Sequence, residues 1–201
     1  MDASGCGGQL KEGVTCWTGA SLTALRGGDA YEAFTEVIDA MGAESGVAQK
    51  LRGPLTTAAK LRDAPDQRLY VLRDGAAVLG MLKVGAKHLY YWQKGGGTVE
   101  LDPPCVLDFY VCAAAQRRGA GKRLFEAMLQ AERAGGAQAF AYDRPSPKML
   151  PFLRKHYGLG AFVEQPNNFI IFDDFFDNGQ PQRMSRTKNR RDNHARVQGT
   201  F

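Results

Sequence analysis

Metal ligands and disulfide partners are scarce in this chain. Four cysteines and three histidines are spread over 201 residues. Cys6, Cys16, Cys105 and Cys112 form neither a CxxC pair nor a His/Cys spacing suited to zinc. They read as free thiols, and no metal is expected. Long apolar runs are also missing: the longest strand-like stretch, residues 105–112, is interrupted by Asp108. That falls far short of the roughly 20 apolar residues that span a bilayer, so no membrane partner is expected. The opening Met-Asp-Ala-Ser-Gly-Cys lacks a basic stretch followed by an apolar one, so it carries no recognisable secretory signal. A cytoplasmic location follows as the expectation.

Charge is present but unevenly placed. The net charge is +5, and from Pro181 to Phe201 six Lys/Arg face one acid, Asp192. Residues 1–180 hold 20 basic and 20 acidic residues. The basicity therefore belongs to a tail, and the body is neutral. Composition divides the chain into a Gly/Ser/Thr-rich segment of uncertain structure (1–28), one domain (29–177) and a basic, disordered tail (178–201).

Within the domain, Ala30, Phe34, Val37, Ile38 and Met41 recur at helical spacing from Asp29, an expected N-cap, to about Arg52. A short helix over 55–62 follows Pro54. Residues 68–73 and 77–84, joined at Asp74-Gly75, read as a hairpin. Strands are expected over 88–92, 105–112, 138–142 and 168–172, and helices over 121–134 and 147–157, with Pro147 suited to a first helical position. Tyr90, Tyr91 and Trp92 alternate along their strand and are expected in the core or closing a cleft. The order indicates a mixed α/β single domain.

The sharpest chemical signal is Gln116-Arg117-Arg118-Gly119-Ala120-Gly121-Lys122, between the strongest strand and a helix. A helix start offers unpaired N–H groups and partial positive charge, and glycine lets backbone approach a ligand closely. Three flanking cations strengthen the attraction for a pyrophosphate. The Walker pattern fails because Arg123 follows Lys122, and a Rossmann fingerprint needs a third glycine and an earlier βαβ unit. The Q/R-x-x-G-x-G/A pattern resembles the acetyl-CoA loop of the GNAT superfamily.

Five ordered blocks narrow the resemblance: Cys105-Val-Leu-Asp-Phe-Tyr-Val, Met128-Leu-Gln-Ala-Glu-Arg, Asp143-Arg-Pro-Ser, Phe152-Leu-Arg-Lys-His-Tyr and Asn167-Asn-Phe-Ile-Ile-Phe. Together with Ala48-Gln-Lys-Leu and Gly80-Met-Leu-Lys-Val-Gly, they are similar to those of α-tubulin acetyltransferases from about residue 30 to 177. That resemblance implies a GNAT fold, α/β, with a mixed, mostly antiparallel sheet flanked by helices and splayed central strands for acetyl-CoA. It implies cofactor contacts from Phe109, Tyr110, Val111, Gln116, Arg117, Arg118, Gly119, Ala120, Gly121 and Lys122, and from Ser146, Lys148, Phe152 and Lys155. It places Gln49, Cys105 and Asp143 at the reaction centre. The implied partner is α-tubulin in microtubules, cytoplasmic and in the ciliary or flagellar axoneme, with the enzyme a monomer and no specific nucleic acid bound.

The residue chemistry leaves roles open. Asp143 is suited to accept a lysine proton, directly or through water, or else to pair with Arg144 or cap the following helix. Cys105 would need a depressed pKa to act as a base. Gln49 cannot titrate near neutrality and is suited to hydrogen-bond substrate or water. Asp108 either faces the cleft or pairs with a cation in the sheet. Lys83, Lys87 and His88 are expected on a basic substrate rim, whereas His156 and Cys112 read as structural. The alternatives are an acetyltransferase for another protein lysine or a small amine, and a non-enzymatic microtubule- or RNA-binding module. No RNP-like pattern supports the RNA reading.

Overall fold

The computed structural model describes residues 12–178, apart from residue 94. The basic tail, Cys6 and the start of the N-terminal segment lie outside the described residues. In chain order the elements are β1 (Gly13–Thr18), α1 (Gly19–Ala24), α2 (Asp29–Ala48), α3 (Ala58–Arg62), β2 (Arg68–Asp74), β3 (Ala77–Ala86), β4 (Leu89–Trp92), β5 (Thr98–Leu101), β6 (Pro104–Val111), α4 (Ala120–Ala131), β7 (Ala141–Asp143), α5 (Met149–Tyr157) and β8 (Phe169–Ile171). Six strands form one sheet in the order β1-β2-β3-β6-β7-β8, and β4-β5 is a separate hairpin. Every pairing is antiparallel except β6 with β7.

Alternation along the strands builds two layers. Tyr70, Leu72, Leu82 and Val84 face α4 and α5, whereas Leu69, Val71 and Met81 face α1, α2 and α3. The hairpin lies over a third cluster in which Leu89, Tyr91, Val99 and Leu101 meet Cys105, Leu107 and Ile171. Tyr91 is buried, but Tyr90 and Trp92 are exposed, so only the middle aromatic of that strand joins the core. A two-stranded ribbon resting on one face must leave its alternate side chains to solvent.

Several sequence expectations shift. β1 and α1 occupy part of the segment left unplaced by its glycine content. There Trp17 is buried against Phe34, ring centroids 4.2 Å apart, and Thr18 forms a capping box with Ser21. Gly28 rather than Asp29 is the N-cap of α2, and Asp29 instead places its charge in the first turn, where the helix dipole favours it. Pro147 precedes α5, whose N-cap is Lys148. The expected strand over 138–142 begins as a 3₁₀ turn, Ala137–Ala139, and becomes β7 only at Ala141. The short β5 has no forecast counterpart.

Candidate active site

β6 and β7 pair at only two registers, Cys105↔Ala141 and Val106↔Tyr142. β6 runs on to Val111 while β7 ends at Asp143, so the two strands part and leave a cleft between them. Gln49, Asp108, Phe109, Asp143, Arg144 and Ser146 are among its lining residues. The splayed strands implied by the family resemblance are therefore a property of this sheet.

Asp143 stands at the parting point. Its Oδ1 is buried and has no hydrogen-bond partner among the described residues. Arg144 Nε lies 3.3 Å away, an ion pair without hydrogen-bond geometry. Arg144 itself adopts a left-handed backbone, φ 41°, and donates its N–H to Asn168 O at 3.1 Å. Such a conformation is costly for a side-chain-bearing residue and persists where surrounding structure imposes it. Asp143 does not cap α5.

Cys105 is fully buried on β6, its thiol directed to Pro103 O at 3.4 Å. Burial, followed by the charge of Asp143, pushes the thiol up to about 12. It stays protonated at neutral pH, which removes the thiolate that base catalysis would require. Cys112 is half-buried with Sγ directed to Val78 O at 3.5 Å, a structural setting, and Cys16, Cys105 and Cys112 are free thiols.

The other wall is a polar network. Asp108 is buried and accepts from Ser45 Oγ (3.0 Å), Gln49 Nε2 (3.1 Å) and Thr56 Oγ1 (2.6 Å). A β-bulge puts it there. Lys83 is opposite Asp108 and Val84 is opposite Val106, leaving Leu107 as the extra residue of β6. Strict alternation would send Asp108 to the side of Val106, but Val106 and Phe109 both pack toward α4 and α5, and Asp108 turns to α2. The expected substrate contact from Asp108 is thus a wall residue whose oxygens are already engaged.

Lys83 does not lie on a rim. β3 extends past it to Ala86 and buries it, with Nζ donating to Leu55 O at 2.7 Å. Lys87, beyond the strand end, is exposed, and His88 Nδ1 lies 2.8 Å from Asp102 Oδ1.

Beyond Phe109, β6 leads through a 3₁₀ turn into Gln116, which donates Nε2 to Val111 O (2.8 Å) and accepts from Lys148 Nζ (3.0 Å). Lys148 thereby ties the start of α5 to the loop. Arg117 (φ 64°) and Gly119 (φ 87°) are both left-handed, and Gly119 caps α4 without a side-chain hydrogen bond. No acid lies in the first turn of α4, and Arg117, Arg118 and Lys122 are exposed around it. A Cβ on Gly121 would meet Phe109 Cζ at 3.3 Å, so the helix start sits directly on β6. Phe152 lies with its ring 5.5 Å from that of Phe109. This uncapped, acid-free and cation-rimmed helix start, opening beside a cleft, fits the pyrophosphate and arm of a coenzyme A thioester.

Of the remaining candidates, Tyr110 turns its side chain to α2, where Oη donates to Glu44 Oε2 at 3.0 Å. Lys155 is exposed on α5, and the His156 ring lies tilted against that of Phe152, centroids 5.0 Å apart. Ser45 and Thr56 escaped sequence reading. Ser45 stands one helical turn before Gln49, a spacing that marks a shared face, whereas Thr56 in its loop carries no such signal.

The family of GNAT acetyltransferases described as Mec-17 matches residues 11–200. The α-tubulin N-acetyltransferase of Leishmania infantum is 46% identical over 180 residues, covering 84% of this chain and 73% of that protein. α-Tubulin N-acetyltransferase 1 of Danio rerio is 46% identical over 154 residues, covering 74% and 51%. That of Drosophila melanogaster is 45% identical over 158 residues, covering 76% and 34%. A predicted acetyltransferase from Clostridium acetobutylicum, solved with acetyl-CoA, has the same fold at a TM-score of 0.50 with 7% identity, over 76% of this chain and 92% of that one. The mixed sheet, the parted strands and the relatives agree, and the chain belongs to the Mec-17 family of GNAT acetyltransferases.

Proposed function

We propose that this chain transfers the acetyl group of acetyl-CoA to a lysine of α-tubulin, the lysine of the luminal loop in microtubules. The observation that carries the reading is the buried Asp143 Oδ1, which receives no hydrogen bond among the described residues, where β6 and β7 part in a cleft lined by Gln49, Phe109 and Ser146. The relatives named as α-tubulin N-acetyltransferases supply the acceptor. Phe109 to Lys122 and Ser146 to Lys155 would hold the donor: backbone N–H groups of Gly119 to Gly121 and the cations Arg117, Arg118 and Lys122 take the pyrophosphate, and Phe109 and Phe152 flank the arm.

A lysine amine has an unperturbed pKa of about 10.4, so near pH 7 only on the order of one in a thousand is neutral. Asp143 attracts the ammonium and takes its proton, directly or through one water, a contribution of roughly 10²–10⁴-fold. Acetyl-CoA would supply a thioester: the amine nitrogen bonds to the acetyl carbon, the C–S bond breaks, coenzyme A leaves as its thiolate, and the remaining excess amine proton passes through water to that thiolate, with no enzyme nucleophile required. Cys105 stays a neutral thiol that packs the wall behind Asp143. Lys87, exposed before the hairpin, would attract an acidic partner and speed its approach, whereas His88 is already held by Asp102. A cytoplasmic location on microtubules, axonemes included, follows from the acceptor.

The test incubates the purified chain with acetyl-CoA and assembled microtubules, maps new acetyl groups by mass spectrometry, and runs Asp143→Asn beside it. Acetylation confined to the luminal-loop lysine, reduced about 100-fold or more in the variant, is expected. Cofactor binding without tubulin modification would move the acceptor to another lysine or amine. Full activity in Asp143→Asn would remove Asp143 from the mechanism.

A further inference from the structure

We propose that Asp108 is a positioning residue that fixes the side-chain amide of Gln49 with its NH2 turned inward and its carbonyl oxygen toward the acceptor amine. This rests on the lysine-acetyltransferase reading, because it assigns Gln49 a contact with the incoming amine.

The hydrogen bonds permit one arrangement. Three donors converge on Asp108, so both of its oxygens act as acceptors. Ser45 spends its hydroxyl proton on Asp108 Oδ1 and therefore meets Gln49 as an acceptor. Gln49 Nε2 lies 2.9 Å from Ser45 Oγ and 3.1 Å from Asp108 Oδ1, so both amide protons have partners in the wall. The flipped amide would set Oε1 against a carboxylate oxygen and a hydroxyl lone pair. Both hydrogen bonds of this side chain leave from Nε2, and Gln49 lines the cleft, so Oε1 is the group left to face it.

The backbone adds its own constraint. Gln49 is the C-cap of α2, and Lys50 turns left-handed at φ 57°, which fixes where the side chain departs. Ser45 and Thr56 are as buried as Asp108 itself, so water does not compete for these bonds. An ammonium carries three protons. Gln49 Oε1 and Asp143 line the same cleft as two acceptors for them, whereas an outward NH2 at position 49 would repel the amine. Lys83, opposite Asp108 in the register, places a cation behind the network rather than at the mouth of the cleft.

The decisive experiment exchanges donor and acceptor. Gln49→Glu places a carboxylate against Asp108, and kcat/KM for an α-tubulin peptide should fall by about tenfold or more. Gln49→Glu with Asp108→Asn restores the pair with roles reversed, since the new amide donates to Glu at position 49 and Thr56 still donates to its oxygen. The double variant should return to within about threefold of the parent, and acetyl-CoA affinity, measured by calorimetry, should hold in all three proteins. An active single variant, or no rescue in the double variant, would overturn the proposal. A parent enzyme silent on tubulin would sink the acceptor reading instead. An amide readout decides the proposal in either case: the Gln49 NH2 protons, assigned by their loss in Gln49→Glu, should exchange slowly with solvent, and exchange at the rate of a free glutamine amide would overturn it.

Discussion

Lys83 and Asp108 face each other across β3 and β6, and the fold buries both. Their environments differ in what remains when the other is removed. Asp108 has three hydroxyl or amide donors of its own, but Lys83 has one carbonyl. Asp108→Ala should therefore cost about 3 kcal/mol or more, because Ser45, Gln49 and Thr56 each lose an acceptor in the wall, at roughly 1–3 kcal/mol per unpaired buried group. Lys83→Met should cost less, because the desolvation that lowers the Lys83 pKa disappears with the charge. Urea unfolding of both variants checks the order, and a larger loss from Lys83→Met would refute it.

The loop that carries Thr56 can reach Asp108 because α2 presents glycine to it. A Cβ at Gly42 would lie 1.9 Å from Thr56 O, a distance no small adjustment relieves. Gly42→Ala should push residues 54–56 away from α2 and cost about 1–3 kcal/mol, the usual range for overpacking. Because Thr56 then leaves Asp108, kcat/KM for the peptide should fall further than stability alone explains. Kinetics at a temperature where the variant stays folded, with acetyl-CoA affinity as the control, separates the two losses.

Cys105 provides a pH test. Its folded value is about 12 against 9.0 for an ordinary cysteine, so between those values the folded state holds a proton that the unfolded state releases. Stability should fall as pH rises from about 9 toward 12, and Cys105→Ala should remove that part of the slope. If the thiol is not the base, the same variant should lose less than about 100-fold in kcat and keep the pH dependence of the parent. Iodoacetamide should modify the exposed Cys16 well before Cys105. A larger loss in kcat with a displaced pH profile would restore Cys105 as the base.

These tests turn on features that the sequence reveals unevenly. The start of α4 is legible because glycine, cations and an approaching strand fall together within residues 105–122. The apolar spacing of α2 and α4 was legible for the same reason, since periodicity is local. Asp108 could be noticed but not oriented: Cys105 to Cys112 alternates without a sign of the bulge, which arises from register with β3. Lys83 was misread because its burial depends on how far β3 extends and on a carbonyl 28 residues earlier. β1 hid among glycines, and its place beside β2 is decided by cross-strand pairing that no local pattern encodes.

The far end of α4 supplies the last prediction, because the position of the loop at its start depends on how its end is held. Arg68 grips Glu132 with two bonds, of 2.5 and 2.8 Å, and Tyr70 Oη donates to the same carboxylate at 2.6 Å, joining β2 to the end of α4. Burial opposes ionisation of Glu132, but the bonds from Arg68 and Tyr70 outweigh it and hold its pKa below the ordinary 4.5. For a carboxyl lowered on folding, the stabilisation is complete above the unfolded value and is lost as pH falls through the folded one. Glu132→Ala should thus cost about 1–3 kcal/mol at pH 7, and the gap from the parent should narrow as the pH drops below 4.5. Acetyl-CoA affinity should weaken in the same variant, because α4 loses the anchor that sets Gly119 and Gly121 against β6. A stability gap independent of pH would mean that packing of the Glu132 stem, and not its charge, holds the helix.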